Sequence, residues 1–215
     1  MKKILPILLS ILILGGLGTF IYLQKQQVPD YNLARLVSAE AAFFIDIHDP
    51  VEFLEKATGE NQIWNELKQI PALNHFKSQV HAIDSLIGKQ QSLQKSIQDK
   101  RLIISGEKQG KDRIGFTFLL KVGKIREKRL IQTHLEQWGQ AGNNKLSTRT
   151  YNKVKLYTIK NPGGQVLSFA TTRGVMIASS STLLVEQAIR QRFVEHPITK
   201  ETHFRKVRET AGKHV

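Results

Sequence analysis

The chain contains no cysteine. That absence excludes disulfide staples, thiolate metal centres, cysteine nucleophiles and a lipid anchor carried on cysteine. Acidic residues are scarce: 18 Asp and Glu stand against 32 Lys and Arg, a formal net charge of +14. An excess of this size favours anionic partners, whether nucleic acid, anionic lipid or acidic envelope polymers. A basic, evenly solvated surface that needs no partner is the plainer alternative. Glycine patterns of the dinucleotide or P-loop type are missing as well. "SGEKQGKDRIG" (Ser105 to Gly115) has glycines and lysines, but it lies between two predicted strands and opens no helix. It therefore lacks the free N–H groups of a helix start that bind phosphate, and reads as a hairpin turn. None of the seven histidines stands in an H-x-x-x-H or H-E-x-x-H pair, the spacings that bring two imidazoles to one helix face for zinc. His81 and Asp84, three residues apart on a predicted helix, read as a surface pair rather than a metal site.

Apolar residues make up 40% of the 215, enough to build the core of one ordinary domain with an appendage. The appendage is at the N-terminus. Ile4 to Leu23, "ILPILLSILILGGLGTFIYL", is a run of twenty residues without a charge, preceded by Lys2 and Lys3. As a helix rising ~1.5 Å per residue it matches the roughly 30 Å hydrocarbon core of a bilayer. The small residues Gly15, Gly16 and Gly18 are the best cleavage candidates, but Phe20, Ile21, Tyr22 and Leu23 continue the apolar run beyond them. An uncleaved signal anchor is therefore favoured over a cleavable signal peptide. The lysines ahead of it place the N-terminus in the cytoplasm and the remainder in the periplasm. This removes nucleic acid as a partner. It leaves the inner membrane, held through the N-terminal helix, with anionic lipid or an envelope polymer as counter-charge to the basic domain.

Beyond a polar tether, "QKQQVPD", the chain alternates strand and helix signals. Ala42 to Ile47 reads as a buried strand, with Asp49 as N-cap and Pro50 as first residue of a short helix ending at Gly59. "NQIWNELKQI" is a second short helix, and a longer one starts at Pro71. The glutamine-rich second half of that longer helix, "GKQQSLQKSIQDK", is expected to project or fray. "RLIISGEK" and "RIGFTFLLKV" form a hairpin; in the latter Ile114, Phe116 and Phe118 alternate with Gly115 and Thr117, as in a half-buried strand. Glu127 to Gln140 is a helix with Leu130, Ile131, Leu135 and Trp138 apolar, stopped by Gly139, Gly142 and Asn143. "KLSTRTYNKVKLYTIK", "GQVLSFATT" and "GVMIASS" follow as a meander turning at Tyr151-Asn152, Pro162-Gly163-Gly164 and Arg173-Gly174. Thr182 to Phe193 and Phe204 to Ala211 are the last helices. The fold class is α+β: an antiparallel sheet of short strands packed by helices on one face, preceded by one N-terminal transmembrane helix. Residues 1–23 are the transmembrane signal anchor, 24–40 the tether and lead-in, and 41–215 the α+β periplasmic domain.

"VMIASSSTLLVEQAIR" (Val175 to Arg190) raises the question of chemistry. A serine-hydrolase elbow needs G-x-S-x-G so that the chain can turn sharply from strand to helix, and "IASSSTL" has no flanking glycine. No companion acid and histidine are identifiable. Ser180 or Ser181 therefore reads as the helix N-cap, its hydroxyl accepting from a first-turn N–H. A lipid phosphate using the same N–H groups is the lesser reading. His48-Asp49, at a strand end where a catalytic pair would sit, is better read through Asp49 as a cap beside Pro50. Catalytic, cofactor-binding and metal-binding residues are thus expected to be none.

The stretch also echoes an earlier one. Against "FFIDIHDPVEFLEKA", at an offset of 131, Asp49 aligns with Ser180, Phe53 with Leu184, Leu54 with Val185 and Ala57 with Ala188. A duplicated unit would leave the second copy unfinished at "RETAGKHV", so the chain reads as the N-terminal part of a longer protein. The anchor together with "LVSAEAAFFIDIHDPVEFLEK", "NQIWNELKQIP", "GVMIASSSTLLVEQAIRQ" and "HFRKVRETAGKHV" resembles an uncharacterised bacterial family of membrane-anchored envelope proteins built on a domain of unknown function. The resemblance implies a longer chain and brings over no activity and no site residues. The expected function is non-enzymatic binding or scaffolding in the cell envelope. The alternative is a carrier of a lipid or other hydrophobic ligand, with the sheet and the long helix enclosing an apolar groove.

Overall fold

The computed structural model describes residues 31–58, 66, 76, 79–81, 83–84, 90–110 and 113–210. The expected anchor and the tether "QKQQVPD", most of the helix over 61–70, most of the helix begun at Pro71 and the last five residues lie outside the described residues. Among the described residues no helix is long and apolar enough to cross a membrane.

Seven strands form one antiparallel sheet: β1 (Phe43–Ile47), β2 (Leu102–Gln109), β3 (Arg113–Lys121), β4 (Lys145–Tyr151), β5 (Val154–Lys160), β6 (Val166–Thr172) and β7 (Val175–Ser179). Their order across the sheet is β1-β2-β3-β7-β6-β5-β4. The meander β4 to β7 is built from tight hairpins. Asn152 and Lys153, and again Arg173 and Gly174, hold positive φ, the geometry of two-residue turns whose twist matches that of the strands. β4 closes one edge with mostly exposed polar and basic residues, which discourages pairing with another chain. At the other edge the Arg101 guanidinium donates to Asp46 of β1 (Nε to Oδ1, 2.7 Å).

The helices are α1 (Pro50–Thr58), α2 (Gln91–Ile97), α3 (Ile125–Gln140), α4 (Thr182–Gln191) and α5 (Thr202–Thr210), with 3-10 turns at Leu33–Leu36 and Ile198–Lys200. They cover both faces of the sheet, not one as expected. On the first face Ile103, Leu119, Ile177, Ala170 and Leu156 pack against Val185, Ala188 and Ile189 of α4 and against Leu33 and Leu36. On the second face Leu102, Ile104, Phe116 and Phe118 pack against Leu54 and Ala57 of α1 with Phe76 and Val80. Next to them, Met176 and Val122 meet Leu93 and Ile97 of α2 and Ile131 of α3. The alternation in β3 misleads because its small residues are buried too. Thr117 is 1% exposed, and the Leu184 side chain of α4 lies 2.7 Å from where a Cβ on Gly115 would stand. Small residues here admit a helix rather than water.

Three further expectations are corrected. "QSLQKSI" neither projects nor frays: it is α2, and its i, i+4 pair Leu93 and Ile97 is 4% and 2% exposed. Asp99, at φ 58°, ends it, a left-handed stop that aspartate tolerates. Gly139 does not terminate α3, which runs to Gln140. It is a close-packing position, where an added Cβ would stand 2.8 Å from Ile159 Cγ1. Gly142, at φ 59°, takes the chain out of the helix. α3 begins two residues before the expected Glu127, because the Glu127 carboxylate reaches back to accept from the N–H groups of Gly123 and Lys124 (3.1 Å each).

Candidate functional site

The strand-to-helix corner at Ser179–Thr182 is a hydrogen-bonded joint. Ser181 occupies the N-cap position of α4, but its hydroxyl makes no capping bond; it accepts instead from Gln109 Nε2 at 2.9 Å. The side-chain cap expected of Ser180 or Ser181 is thus missing: Ser181 holds the cap position, and its hydroxyl is taken by Gln109. Ser179, fully buried, donates to the Phe116 carbonyl at 2.7 Å and accepts from the Ser181 N–H at 3.0 Å. Thr182 shares a hydrogen bond with Ser168 at 2.7 Å, and Ser168 with Thr158 at 3.1 Å. Ser180 is exposed. Every buried hydroxyl of the stretch is committed to the frame, and one first-turn donor that a phosphate would need is already used. The Asp49 reading holds in full: its Oδ1 accepts from the N–H groups of Val51 (2.9 Å) and Glu52 (3.1 Å), with Pro50 opening α1. His48 beside it is exposed. Among the described residues no group of three His, Asp or Glu could hold a metal ion.

The feature with the form of a site is a cleft of about 630 Å³ on the second sheet face. Its floor crosses four adjacent strands, with Leu102 and Ile104 of β2, Phe118 and Leu120 of β3, Met176 and Ala178 of β7 and Leu167 of β6. At ~4.8 Å between neighbours that is about 14 Å. Its walls are Phe53 and Leu54 of α1, Leu93 and Ile97 of α2, and Ile131, Leu135 and Trp138 of α3. The wall helices α2 and α3 are placed by their own apolar pairs and by Lys100, whose ammonium donates to Glu127 at 3.1 Å where the two helices meet. Gln90, His134 and Gln137 are the polar residues of the described lining, and no Lys, Arg, Asp or Glu is among the described lining residues. The His134 Nε2 is buried and has no hydrogen-bond partner among the described residues.

Sequence reasoning passed over His134. A signal existed: His134 lies three residues after Ile131 and four before Trp138, so it interrupts the apolar stripe of α3. A polar residue on such a stripe asks for a partner.

A second feature is electrostatic. The Arg173 guanidinium stands 5.7 Å from the centre of the Tyr31 ring. Arg192, at the C-terminal end of α4, is held below the usual arginine range, first by burial and then by the Arg173 charge. Arg192 Nε and the Tyr31 hydroxyl are both buried without a hydrogen-bond partner among the described residues.

Compared with known proteins, the chain matches no family model, no curated protein and no solved structure.

Proposed function

We propose that the chain is a membrane-anchored protein of the cell envelope whose folded part binds a hydrophobic ligand, without chemistry, in the cleft between the sheet and α1, α2 and α3. The cleft carries this reading. Protein interiors are close-packed and leave few voids larger than a water molecule. An apolar space of about 630 Å³ falls in the ~300–1,000 Å³ range of small-molecule sites. Walls that face empty space forgo dispersion contacts, and a ligand that fills the cleft restores them. The apolar segment Ile4 to Leu23 supports the membrane setting, with the domain on the periplasmic side. Scaffolding of envelope proteins, the other binding role, has no comparable observation behind it.

Native mass spectrometry of the full chain released from detergent tests the reading. A hydrophobic adduct is expected on the wild type and is expected to be lost in Ala178→Phe, which puts a ring into the cleft floor, with far-UV circular dichroism unchanged. A wild type that carries no adduct and takes none up from added lipid refutes it, as does equal uptake by the variant.

A second partner class follows from a different observation. Arg173 and Arg192 sit close enough for one charge to depress the other. Tyr31 beside them is eight residues beyond the expected end of the anchor at Leu23. Two such cations favour an anion carrying phosphate-like oxygens, which lipid headgroups supply.

A further inference from the structure

We propose that the ligand of the cleft is an amphiphile with an uncharged hydrogen-bonding head, such as a hydroxyl, ester or amide, seated at His134. The inference rests on the cleft reading above and names the ligand class.

The polar lining is small among the described residues. His134 and Gln137 are i, i+3 on α3 and share one face of that helix. Lys100, just past the end of α2, pairs with Glu127 in the first turn of α3, and Leu93 and Ile97 meet Ile131 one turn on. Gln90, before the start of α2, lines the same cleft. Its side chain makes no capping bond to α2. These three are the polar side chains of the described lining. The rest of the described lining is apolar.

The chemistry of the head follows from what the lining holds. A buried polar atom without a partner is costly, so a hydrogen bond brought by the ligand to His134 Nε2 is rewarded. A carboxylate or phosphate head would enter an apolar cleft whose described lining offers no Lys or Arg as counter-charge, and charges are buried only when paired. A plain hydrocarbon would fill the space and leave His134 unsatisfied. A head with a hydroxyl or carbonyl and an apolar tail satisfies both parts.

The test uses Trp138, which lines the cleft. In the full chain carrying Trp64→Phe it is the sole tryptophan, since the chain has 2. Its quenching by brominated decanol, decanoate and decane is measured at matched mole fractions in neutral detergent. The alcohol is expected to quench at roughly tenfold lower concentration than the other two, the worth of about one net hydrogen bond. His134→Leu is expected to bring the alcohol to the level of the alkane while alkane quenching persists. His134→Gln, which keeps a hydrogen-bonding group, is expected to restore the preference. Decanoate binding more tightly than decanol overturns the assignment, as does an alcohol preference that survives His134→Leu. Quenching by none of the three overturns the cleft reading itself, an outcome distinct from loss of head selectivity alone.

Discussion

Glu107 gives the fold a pH dependence whose sign can be worked out. It sits on β2 opposite Gly115, 6% exposed. Its Oε1 is 3.4 Å from the Ser105 hydroxyl, and its Oε2 has no partner among the described residues. Burial raises its pKa from 4.5 to about 6; the Ser105 hydrogen bond works against that rise and the charge of Glu40 adds to it. The folded chain therefore holds this proton more tightly than the unfolded chain does. Between pH 4.5 and about 6 the native state binds more protons, so stability falls as pH rises through that window. One pKa unit corresponds to ~1.36 kcal/mol, so the loss attributable to Glu107 is about 2 kcal/mol, complete above the folded pKa. Glu107→Gln keeps the shape and removes the titration. The variant is expected to match the wild type below pH 4.5 and to exceed it by about 1–2 kcal/mol at neutral pH, the unused amide donor offsetting part of the gain. Urea unfolding of both chains across the window, followed by far-UV circular dichroism, measures the difference and cancels the titrating groups that do not interact with Glu107. A difference that stays constant with pH, or one that grows towards acid, refutes the reasoning.

Asp49→Ala is expected to destabilise the chain by about 1 kcal/mol through the lost cap of α1. Ser181→Ala is expected to change stability by less, because the Ser181 hydroxyl caps nothing. Ser179→Ala should cost about 1–3 kcal/mol, since it strips partners from a buried carbonyl and from the Ser181 N–H; chemical unfolding of the three variants checks the order, and Ser181 as the most damaging would contradict it. For the arginine pair, phosphate is expected to raise the melting temperature of the wild type above its value in chloride at equal ionic strength. Arg173→Gln combined with Arg192→Gln should abolish that difference, and a difference that persists in the double variant rules out the pair as the anion site.

How far the sequence could be read depends on how local the controlling physics is. Hairpin turns were legible at Asn152 and Gly174 because positive φ selects residue types on the spot. The Asp49-Pro50 start of α1 was legible because a cap and a fixed φ are both local devices. The serines of β7 and α4 carried the same cap signature, yet Gln109, some seventy positions away, claims the Ser181 hydroxyl at 2.9 Å. Nothing in the neighbourhood of Ser181 announces Gln109. Glycine misleads in the same way: Gly139 looks like a stop from its neighbours and is a contact surface for Ile159. Coverage of both sheet faces was hidden by Gly115 and Thr117, whose small size reads as exposure until Leu184 is seen against them. The echo between Asp49 and Ser180 shows the limit most clearly. Both mark a strand, a corner and a helix, but α1 covers the second face of the sheet and α4 the first. The cleft is the extreme case, because its described lining is drawn from four strands, from α1, α2 and α3, and from the helical residues Val80 and Ile83, and no window of the chain contains it. What remained visible locally was one residue, His134, whose polarity breaks the stripe of α3. A polar interruption of an apolar stripe is thus the local trace of a cleft that only tertiary structure assembles.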